Sequence, residues 1–198
     1  EQKAIYYIAG GNEATLRQSP LLEFYKEKGI EVLILDEQVD DIVFGSAGEY
    51  QKLPFKAVNR ADAADELKSA GDKEKEKLSA PVAEKVKAAL GARVKDVKVS
   101  SRLTESPACI TLDAQEPGAH IRAMMKMMGH AAPGELTPIL EINPNHAIVT
   151  KLSITEDQAL ITDISFLLLE QAMLLEGVEL QEPAEFVRRL NRVMSRAS

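Results

Sequence analysis

The first 35 residues carry a strand–helix–strand pattern whose turn residues limit the folds open to this chain. Residues 4–9 are continuously β-prone and end at the glycine pair 10–11, which is typical of a buried parallel strand covered on both faces. Ser19 and Pro20 suit the start of a helix that Gly29 ends, and residues 30–35 predict a second strand. Because such crossovers are right-handed, these residues predict a right-handed βαβ unit with a parallel sheet.

Residues 59–77 differ in composition from their surroundings and predict a boundary between two domains. Mixed charges follow one another here with few apolar residues, which favours a solvated, partly helical connector. The first domain is therefore predicted over residues 1–77 and consists of the small α/β unit, a further strand over 50–58 and this charged connector. Residues 78–198 predict a second domain of the α+β class.

The second domain mixes helices with short strands. It begins with a helix whose apolar residues recur every fourth position before the stop at Gly91, namely Leu78, Val82, Val86 and Leu90. Residues 94–99 and 108–112 predict two strands, and their short separation favours an antiparallel pair. The remaining predicted elements are a short helix over 118–129, a strand over 138–142, a turn at 143–145 that leads into a helix, and two closing helices over about 155–176 and 183–196.

The two closing helices carry opposite charge and wide apolar stripes. Seven acidic residues and no Lys or Arg lie between Glu156 and Glu182, whereas the second helix carries Arg188, Arg189, Arg192 and Arg196. This contrast favours antiparallel packing. Exposed ion pairs contribute only about 0.2–1 kcal/mol each, so charge is expected to set orientation rather than strength. The wide stripes leave two possibilities: a four-helix bundle with a second copy, or packing on the chain's own sheet.

Composition narrows the functional classes. Asp and Glu outnumber Lys and Arg by 31 to 24, giving a formal net charge of −7, which argues against a dedicated nucleic-acid binder. No signal peptide is recognisable, and no apolar run approaches the roughly 20 residues that span a bilayer. The single cysteine excludes a disulfide scaffold and, with the missing signal, favours the cytoplasm. The strand-like start without Met suggests a piece of a longer protein.

No motif for catalysis or cofactor binding stands out. The glycine pair 10–11 lacks the other glycines of a dinucleotide fingerprint and a Walker lysine, so we interpret it as a structural turn. The three histidines share no zinc-ligand spacing with one another or with Cys109, whose thiol is expected to be buried and inert. The sequence therefore predicts no catalytic residue, no metal and no cofactor in this chain.

A short Met-rich helix is the most informative local feature. One of its faces collects residues spaced i, i+3, i+4 and i+7, namely Ile121, Met124, Met125 and Met128. This face could pack into the core. It could also form an adaptable apolar surface, because methionine is flexible and polarisable and accepts many partners. Glycines on both sides of the helix favour partial exposure.

Several ordered motifs resemble those of the 90-kDa heat-shock chaperone family, most closely its bacterial members. Their order and spacing over essentially the whole chain make the resemblance specific. They are IYYI at residues 5–8, SPLLE at 19–23, KGIEVL at 28–33, GARVKDV at 91–97, SRLTESPA at 101–108, LEINPNH at 140–146 and LLLEQA at 167–172.

The resemblance implies the end of the chaperone's middle domain followed by its C-terminal dimerisation domain. The parent would be an ATP-driven homodimer whose ATP and Mg²⁺ site lies upstream, so this piece itself would not be an enzyme. Its last two helices would form the dimer bundle, at Leu160, Ile164, Leu168, Leu175, Phe186, Leu190 and Val193. Partly folded client proteins would contact two patches, one at Ile121, Met124, Met125 and Met128 and one at Asp41, Ile42 and Phe44.

The resemblance also indicates which partners are not expected. Two alternative functions for the chain remain open. Residues 196–198 do not match the acidic peptide with which eukaryotic members dock helical-repeat co-chaperones, so such partners are not expected. Neither nucleic acid nor a membrane is expected as a partner. One rival is a pure dimerisation scaffold in which the Met-rich face is buried. The other is a small-molecule enzyme that uses residues 1–60 to bind a nucleotide.

Overall fold

Two small sheets organise the chain. The structure is a computed structural model that describes residues 2–37, 39–69, 74, 76–113, 116–129, 134 and 136–197. The first sheet contains β1 Ile5–Ala9, β2 Val32–Leu35, β3 Glu49–Tyr50 and β4 Leu53–Ala57 in the order β2-β1-β4-β3. The second contains β5 Asp96–Val99, β6 Ala108–Thr111 and β7 Ile139–Ile142 in the order β5-β7-β6.

Eight α-helices with complete bounds surround these sheets within the described residues, and residues 76–78 are helical as well. Five are short, and the last two make up an extended helix pair. Their bounds are α1 Glu13–Arg17, α2 Glu23–Glu27, α3 Asp40–Ala47, α4 Ala80–Leu90, α5 Ala119–Met127, α6 Ala147–Ile154, α7 Gln158–Leu175 and α8 Pro183–Ala197. The mixed α/β content and the parallel strand pairs agree with the predicted fold class.

The first sheet confirms the strand–helix–strand prediction. Strand β1 pairs in parallel with β2 on one side and with β4 on the other, and β3 joins β4 as a short antiparallel hairpin. The Ser19 hydroxyl accepts a hydrogen bond from the Leu21 amide at 3.3 Å, as expected of an N-cap. Gly29 has φ +65°, a conformation that an L side chain rarely adopts, and it ends the predicted helix.

The second sheet corrects the predicted antiparallel pairing of residues 94–99 with 108–112. Strand β7 lies between them, parallel to β5 and antiparallel to β6. All four residues of β7 are buried, so this strand requires a neighbour on each edge. The segment 100–107 between β5 and β6 is bonded to the first sheet's unit instead of closing a tight hairpin.

The apolar core crosses the predicted connector. One buried cluster covers the second sheet with α4, α6 and α7, and another covers the first sheet but includes Leu103 and Cys109. Within the predicted connector, Ala63 and Ala64 are 1% and 0% exposed, whereas the charged residues Asp62, Asp65 and Glu66 are exposed. The connector's residues 70–73 and 75 lie outside the described residues. Leu78 is 77% exposed and is not part of the helix's buried stripe.

A buried ion pair holds the two units together. The Arg102 side chain is 1% exposed, and its Nε lies 3.0 Å from Oε2 of Glu141. The same guanidinium donates to the carbonyls of Val58 and Ala61, at 3.0 Å each, in the chain that follows β4. Glu141 also accepts a hydrogen bond from the Ser100 hydroxyl at 2.9 Å. Hydrogen bonds on both partners offset the large cost of burying the charges.

We expect Arg102→Met to lower the free energy of unfolding by about 3–5 kcal/mol, because it leaves the Glu141 carboxylate buried without its charge partner. Adding Glu141→Met should recover part of that loss. Urea denaturation followed by circular dichroism measures both values. Lys87→Met, which removes an exposed ion pair with Asp96, is the control and should change stability little. A similar small effect for Arg102→Met would contradict the structural role of the buried pair.

Candidate functional surfaces

The Met-rich helix α5 is partly exposed. Ile121, Met124 and Met125 are half-buried, whereas Met128 is 64% exposed and Met127 is 89% exposed. Among the described residues, no other helix or strand packs closely against α5. The structure therefore places the predicted face at the surface of the fold with its inner edge covered. Met127 was not among the predicted client-contact residues, because it lies beside the helical face formed by Ile121, Met124, Met125 and Met128.

Arg122 ties α5 to the segments that flank it. Its guanidinium donates to the carbonyl of Pro117 at 3.2 Å and to that of Gly134 at 2.8 Å. It also forms an ion pair with Glu116 at 3.4 Å. These bonds fix the polar side of the helix through the backbone on both sides, so its methionines do not have to be buried to hold it in place.

The second predicted patch lies on α3. Ile42 is 40% exposed and Val43 is 49% exposed, while Phe44 is half-buried. The Phe44 ring packs with its centroid 5.5 Å from that of Tyr7 and 5.1 Å from that of Phe55. Phe44 thus anchors α3 on the first sheet, and the exposed apolar surface consists of its neighbours. Val43, which lies within the predicted stretch between Ile42 and Phe44, belongs to that surface.

The start of the Met-rich helix lies near α3. A Cβ placed on Gly118, which caps α5, would lie 3.8 Å from Oδ2 of Asp41 in α3. Arg60 supports the same junction by donating to the carbonyls of Asp113 at 2.8 Å and Glu116 at 2.6 Å, just before α5. The start of the Met-rich helix is therefore held against the unit that carries α3.

A cavity of about 270 Å³ lies beside this junction, at the end of β1. The turn at Gly10 and Gly11, Asp41 and the end of α7 at Glu176 contribute to its lining. Gly10 has φ +102°, which explains the glycine at this turn. Burial raises the pKa of Glu176 to about 7. The left-handed backbone at Gly10 agrees with the interpretation of the glycine pair as a turn.

The described part of the chain contains no cluster of metal ligands and no exposed thiol. No group of three His, Cys, Asp or Glu side chains there could hold a metal ion. Nδ1 of His146 accepts a hydrogen bond from the Ile148 amide at 3.2 Å and caps α6. Cys109 is 3% exposed, as predicted, and burial raises the pKa of its thiol well above the ordinary value, which keeps it protonated.

Helices α7 and α8 pack in antiparallel orientation, as their charges predict. Ion pairs join them along their length, at 2.6 Å for Arg189–Glu170, 2.7 Å for Arg192–Asp163 and 2.7 Å for Arg196–Asp157. Arg192 lowers the pKa of the Asp163 carboxyl, its charge and hydrogen bonds outweighing burial. The Arg189 guanidinium also lies 4.3 Å from the centroid of Phe166. These contacts fix the register of the two helices.

The predicted dimer positions divide between core and surface. Ile164 and Leu168 are 5% and 1% exposed and lie in the chain's own core, so they present no surface to a second copy. Leu160 and Val193 are partly buried against the same core. A wide apolar stripe covers both the inner and the outer side of α7, and sequence periodicity cannot separate the two sides.

The remaining apolar side chains of the helix pair are accessible. Leu175 is 49% exposed, and Phe186 and Leu190 are half-buried. Val187 and Met194, 50% and 59% exposed, share one face of α8 with Leu190 at spacing i, i+3 and i+7. We call Val187, Leu190 and Met194 the α8 outer stripe; two of its members were absent from the predicted interface.

Helix α7 has the length and composition of a membrane span, with a mean hydropathy of 1.4 over residues 158–175. The sequence predicts no uninterrupted apolar run of that length, and polar residues do interrupt this helix at Asp163, Ser165, Glu170 and Gln171. However, 56% of the helix is buried inside the fold, and its acids Asp163 and Glu170 pair with arginines of α8. In this fold α7 serves as the core helix of the second unit.

Exposed large apolar side chains lie on α3, on α5 and in the α8 outer stripe, and others lie at Leu33, Val39, Tyr50, Leu78, Ile148, Ile154, Leu174 and Leu175. They are large, exposed and not arranged around a catalytic or metal cluster. Such surfaces are typical of a protein segment that binds other proteins.

Comparison with known proteins identifies the family. The family described as Hsp90 protein matches residues 1–198. The protein named chaperone protein HtpG from Treponema denticola is 47% identical over 98% of this chain and 31% of its own length. Those from Sulfurovum sp. and Aliarcobacter butzleri are 45% and 46% identical over 100% of this chain and 32% and 31% of their own lengths. The chain belongs to the Hsp90 family and spans about a third of these relatives.

We expect Glu176→Gln to raise the free energy of unfolding at pH 8 by about 1–3 kcal/mol. The pKa of Glu176 is about 7 in the folded chain, above its ordinary value of 4.5, so ionisation costs stability. That cost is complete above pH 7 and disappears below pH 4.5. The advantage of the variant, measured by urea denaturation, should therefore shrink as the pH falls.

The matched control for this pH dependence is Glu179→Gln. Glu179 is exposed and lies three residues further along the chain. Its substitution should leave stability almost unchanged at both pH 5 and pH 8. An equal gain for Glu176→Gln at both pH values would show that the carboxyl does not ionise between them.

Proposed function

We propose that residues 1–198 are the dimerisation and client-contact part of an ATP-dependent molecular chaperone that assists the folding of partly unfolded proteins. The observation that carries the proposal is the exposure of large apolar side chains on α3 and α5, namely Ile42, Val43, Met127 and Met128. Membership of the Hsp90 family and relatives named as chaperones support it. Residues 1–77 would be the end of the middle domain and 78–198 the dimerisation domain.

Exposed methionines suit a surface that must accept unrelated partners. Met127 and Met128 offer flexible, polarisable apolar area, and Ile42 and Val43 add branched side chains on α3. Apolar contact is non-directional and scales with the area removed from water rather than with a partner's sequence. A partly folded protein, which exposes apolar side chains in many arrangements, fits such a surface.

A second copy of the chain is the partner proposed for the helix pair. The α8 outer stripe and Leu175 remain accessible after α7 and α8 have packed together. Pairing two copies through this surface would produce a four-helix arrangement and cover these side chains. The bundle would use the outer side of the helices, because Ile164 and Leu168 are already buried in the monomer.

We propose that ATP is bound and hydrolysed in the part of the full-length protein that lies outside residues 1–198. The curated relatives are about three times as long as this chain, which leaves room for an ATP and Mg²⁺ site outside residues 1–198. We propose no cofactor and no catalytic residue within them. The parent would act in the cytoplasm as a homodimer, without nucleic acid, membrane or tail-docking co-chaperones as partners. The competing function is a dimerisation scaffold that makes no client contact.

Replacing Met127 and Met128 with Ser should at least halve the ability of the chain to suppress aggregation of a heat-denatured test protein, because it removes exposed apolar area. Light scattering measures the suppression. Circular dichroism and sedimentation should remain unchanged, since neither side chain is buried. Met124→Ser with Met125→Ser should also weaken suppression and lower the melting temperature slightly, because these residues are half-buried.

Ile154→Ser is the control for the client surface. Ile154 is 78% exposed but lies at the end of α6. Unchanged suppression in this variant would exclude a general effect of losing surface apolar area. Unchanged suppression in both methionine variants would instead favour the scaffold function.

Val187→Asp with Met194→Asp should convert a dimer to a folded monomer, because carboxylates would be buried without partners in the proposed interface. Sedimentation equilibrium should report a mass near twice 21.7 kDa for the unsubstituted chain of residues 1–198 and near 21.7 kDa for the variant. Leu78→Asp with Ile154→Asp, two similarly exposed apolar positions elsewhere, should leave the dimer intact. A monomeric unsubstituted chain would contradict the proposed dimer.

A further inference from the structure

The sulfur-containing side chains of the described residues differ strongly in their access to solvent. Met127 is 89% exposed and Met128 is 64% exposed, whereas Met173 is 8% exposed in the core of the second unit. Cys109 is 3% exposed, and burial raises the pKa of its thiol well above the ordinary value. The two most exposed of these side chains are therefore neighbouring thioethers at the end of α5.

A thioether reacts with a peroxide without first losing a proton. Its sulfur lone pair forms an S–O bond to one peroxide oxygen while the O–O bond breaks. Sulfur is thereby oxidised by two electrons, and the other oxygen leaves as water after taking up the proton of the transferred one. A thiol reacts as its thiolate instead, and burial keeps Cys109 protonated. Because oxidation follows thiolate character and exposure, a peroxide reaches the end of α5 before it reaches Cys109.

Sulfoxide formation at these two residues changes the surface of α5 without removing what holds the helix. A sulfoxide is polar and its oxygen accepts hydrogen bonds, so the apolar area of Met127 and Met128 is lost. The polar side of α5 fixes its position, because Arg122 donates to backbone carbonyls on both sides of the helix and pairs with Glu116. Since neither methionine is buried, their oxidation opens no cavity in the core.

We propose that Met127 and Met128 form an oxidation site, at which a peroxide converts both side chains to sulfoxides and removes the apolar contact surface of α5. A dithiol-dependent methionine sulfoxide reductase reverses the change: the dithiol becomes a disulfide and the sulfoxide oxygen leaves as water. The chain thus binds fewer partly folded proteins during exposure to peroxide and recovers afterwards. This consequence for binding rests on the proposed client contact, whereas the site of oxidation does not.

Peptide mass spectrometry tests the site itself. Trypsin cleaves after Lys126 and Lys151, so the peptide 127–151 contains the two exposed methionines of α5 and no other methionine. Met173 lies on a different peptide. With hydrogen peroxide at a fixed concentration, the peptide 127–151 should gain oxygen about tenfold or more faster than the peptide of Met173. Circular dichroism should remain unchanged over the same period. Equal oxidation rates for the two peptides, or unfolding that precedes oxidation, would overturn the proposal.

Met127→Leu with Met128→Leu tests the consequence for binding. Leucine keeps the apolar area but has no sulfur to oxidise, so this variant should suppress aggregation of the heat-denatured test protein as well as the unsubstituted chain does. Hydrogen peroxide, removed with catalase before the assay, should at least halve suppression by the unsubstituted chain. Methionine sulfoxide reductase with dithiothreitol should restore it. The leucine variant should lose little suppression under the same treatment.

An equal loss of suppression in the peroxide-treated leucine variant would overturn the proposal, because the damage would then lie at other methionines such as Met194. Failure of the unsubstituted chain to suppress aggregation before any peroxide is added would instead contradict the proposed client contact. In that case the oxidation rates of the two peptides still decide whether the end of α5 is the oxidation site.

Discussion

The buried pair of Arg102 and Glu141 is the interaction on which the arrangement of the chain depends. Removing two charges from water is costly, and the cost is tolerable only where hydrogen bonds satisfy both partners. Here they come from the backbone after β4 and from Ser100 and Thr111. Because every one of these groups must be in place at once, the pair specifies how β7, the loop 100–107 and the first sheet meet.

A second set of charges orders the helix pair in a different way. The arginines of α8 meet the acids of α7 in pairs of different exposure, since Arg196–Asp157 is exposed whereas Arg189 and Glu170 are 11% and 6% exposed. Together these pairs fix the register of the two helices. The Arg102–Glu141 pair thus sets the junction of the two units, while the pairs of the last two helices set how one helix lies on the other. Between them these contacts decide which apolar side chains stay accessible.

Local patterns predicted the elements well, because caps, glycine stops and apolar spacing act over a few residues. Strands β1 and β2 and the helices α4 to α8 follow from them, whereas the single strand predicted over 50–58 is the hairpin of β3 and β4. The order of the second sheet did not follow, since the insertion of β7 depends on contacts far apart in sequence. Likewise Ile164 and Leu168 could not be distinguished from outward positions such as Leu175, because a wide stripe has no unique inner side.

The apolar character of α7 also has a consequence during synthesis. Helix α7 leaves the ribosome before α8, and at about 5–20 residues per second the arginines follow only after on the order of one to a few seconds. The core partners of α7 lie earlier in the chain, so its inner side can pack before α8 is made. During that interval Asp163 and Glu170 lack their arginine partners, and only the side of α7 that α8 later covers remains open.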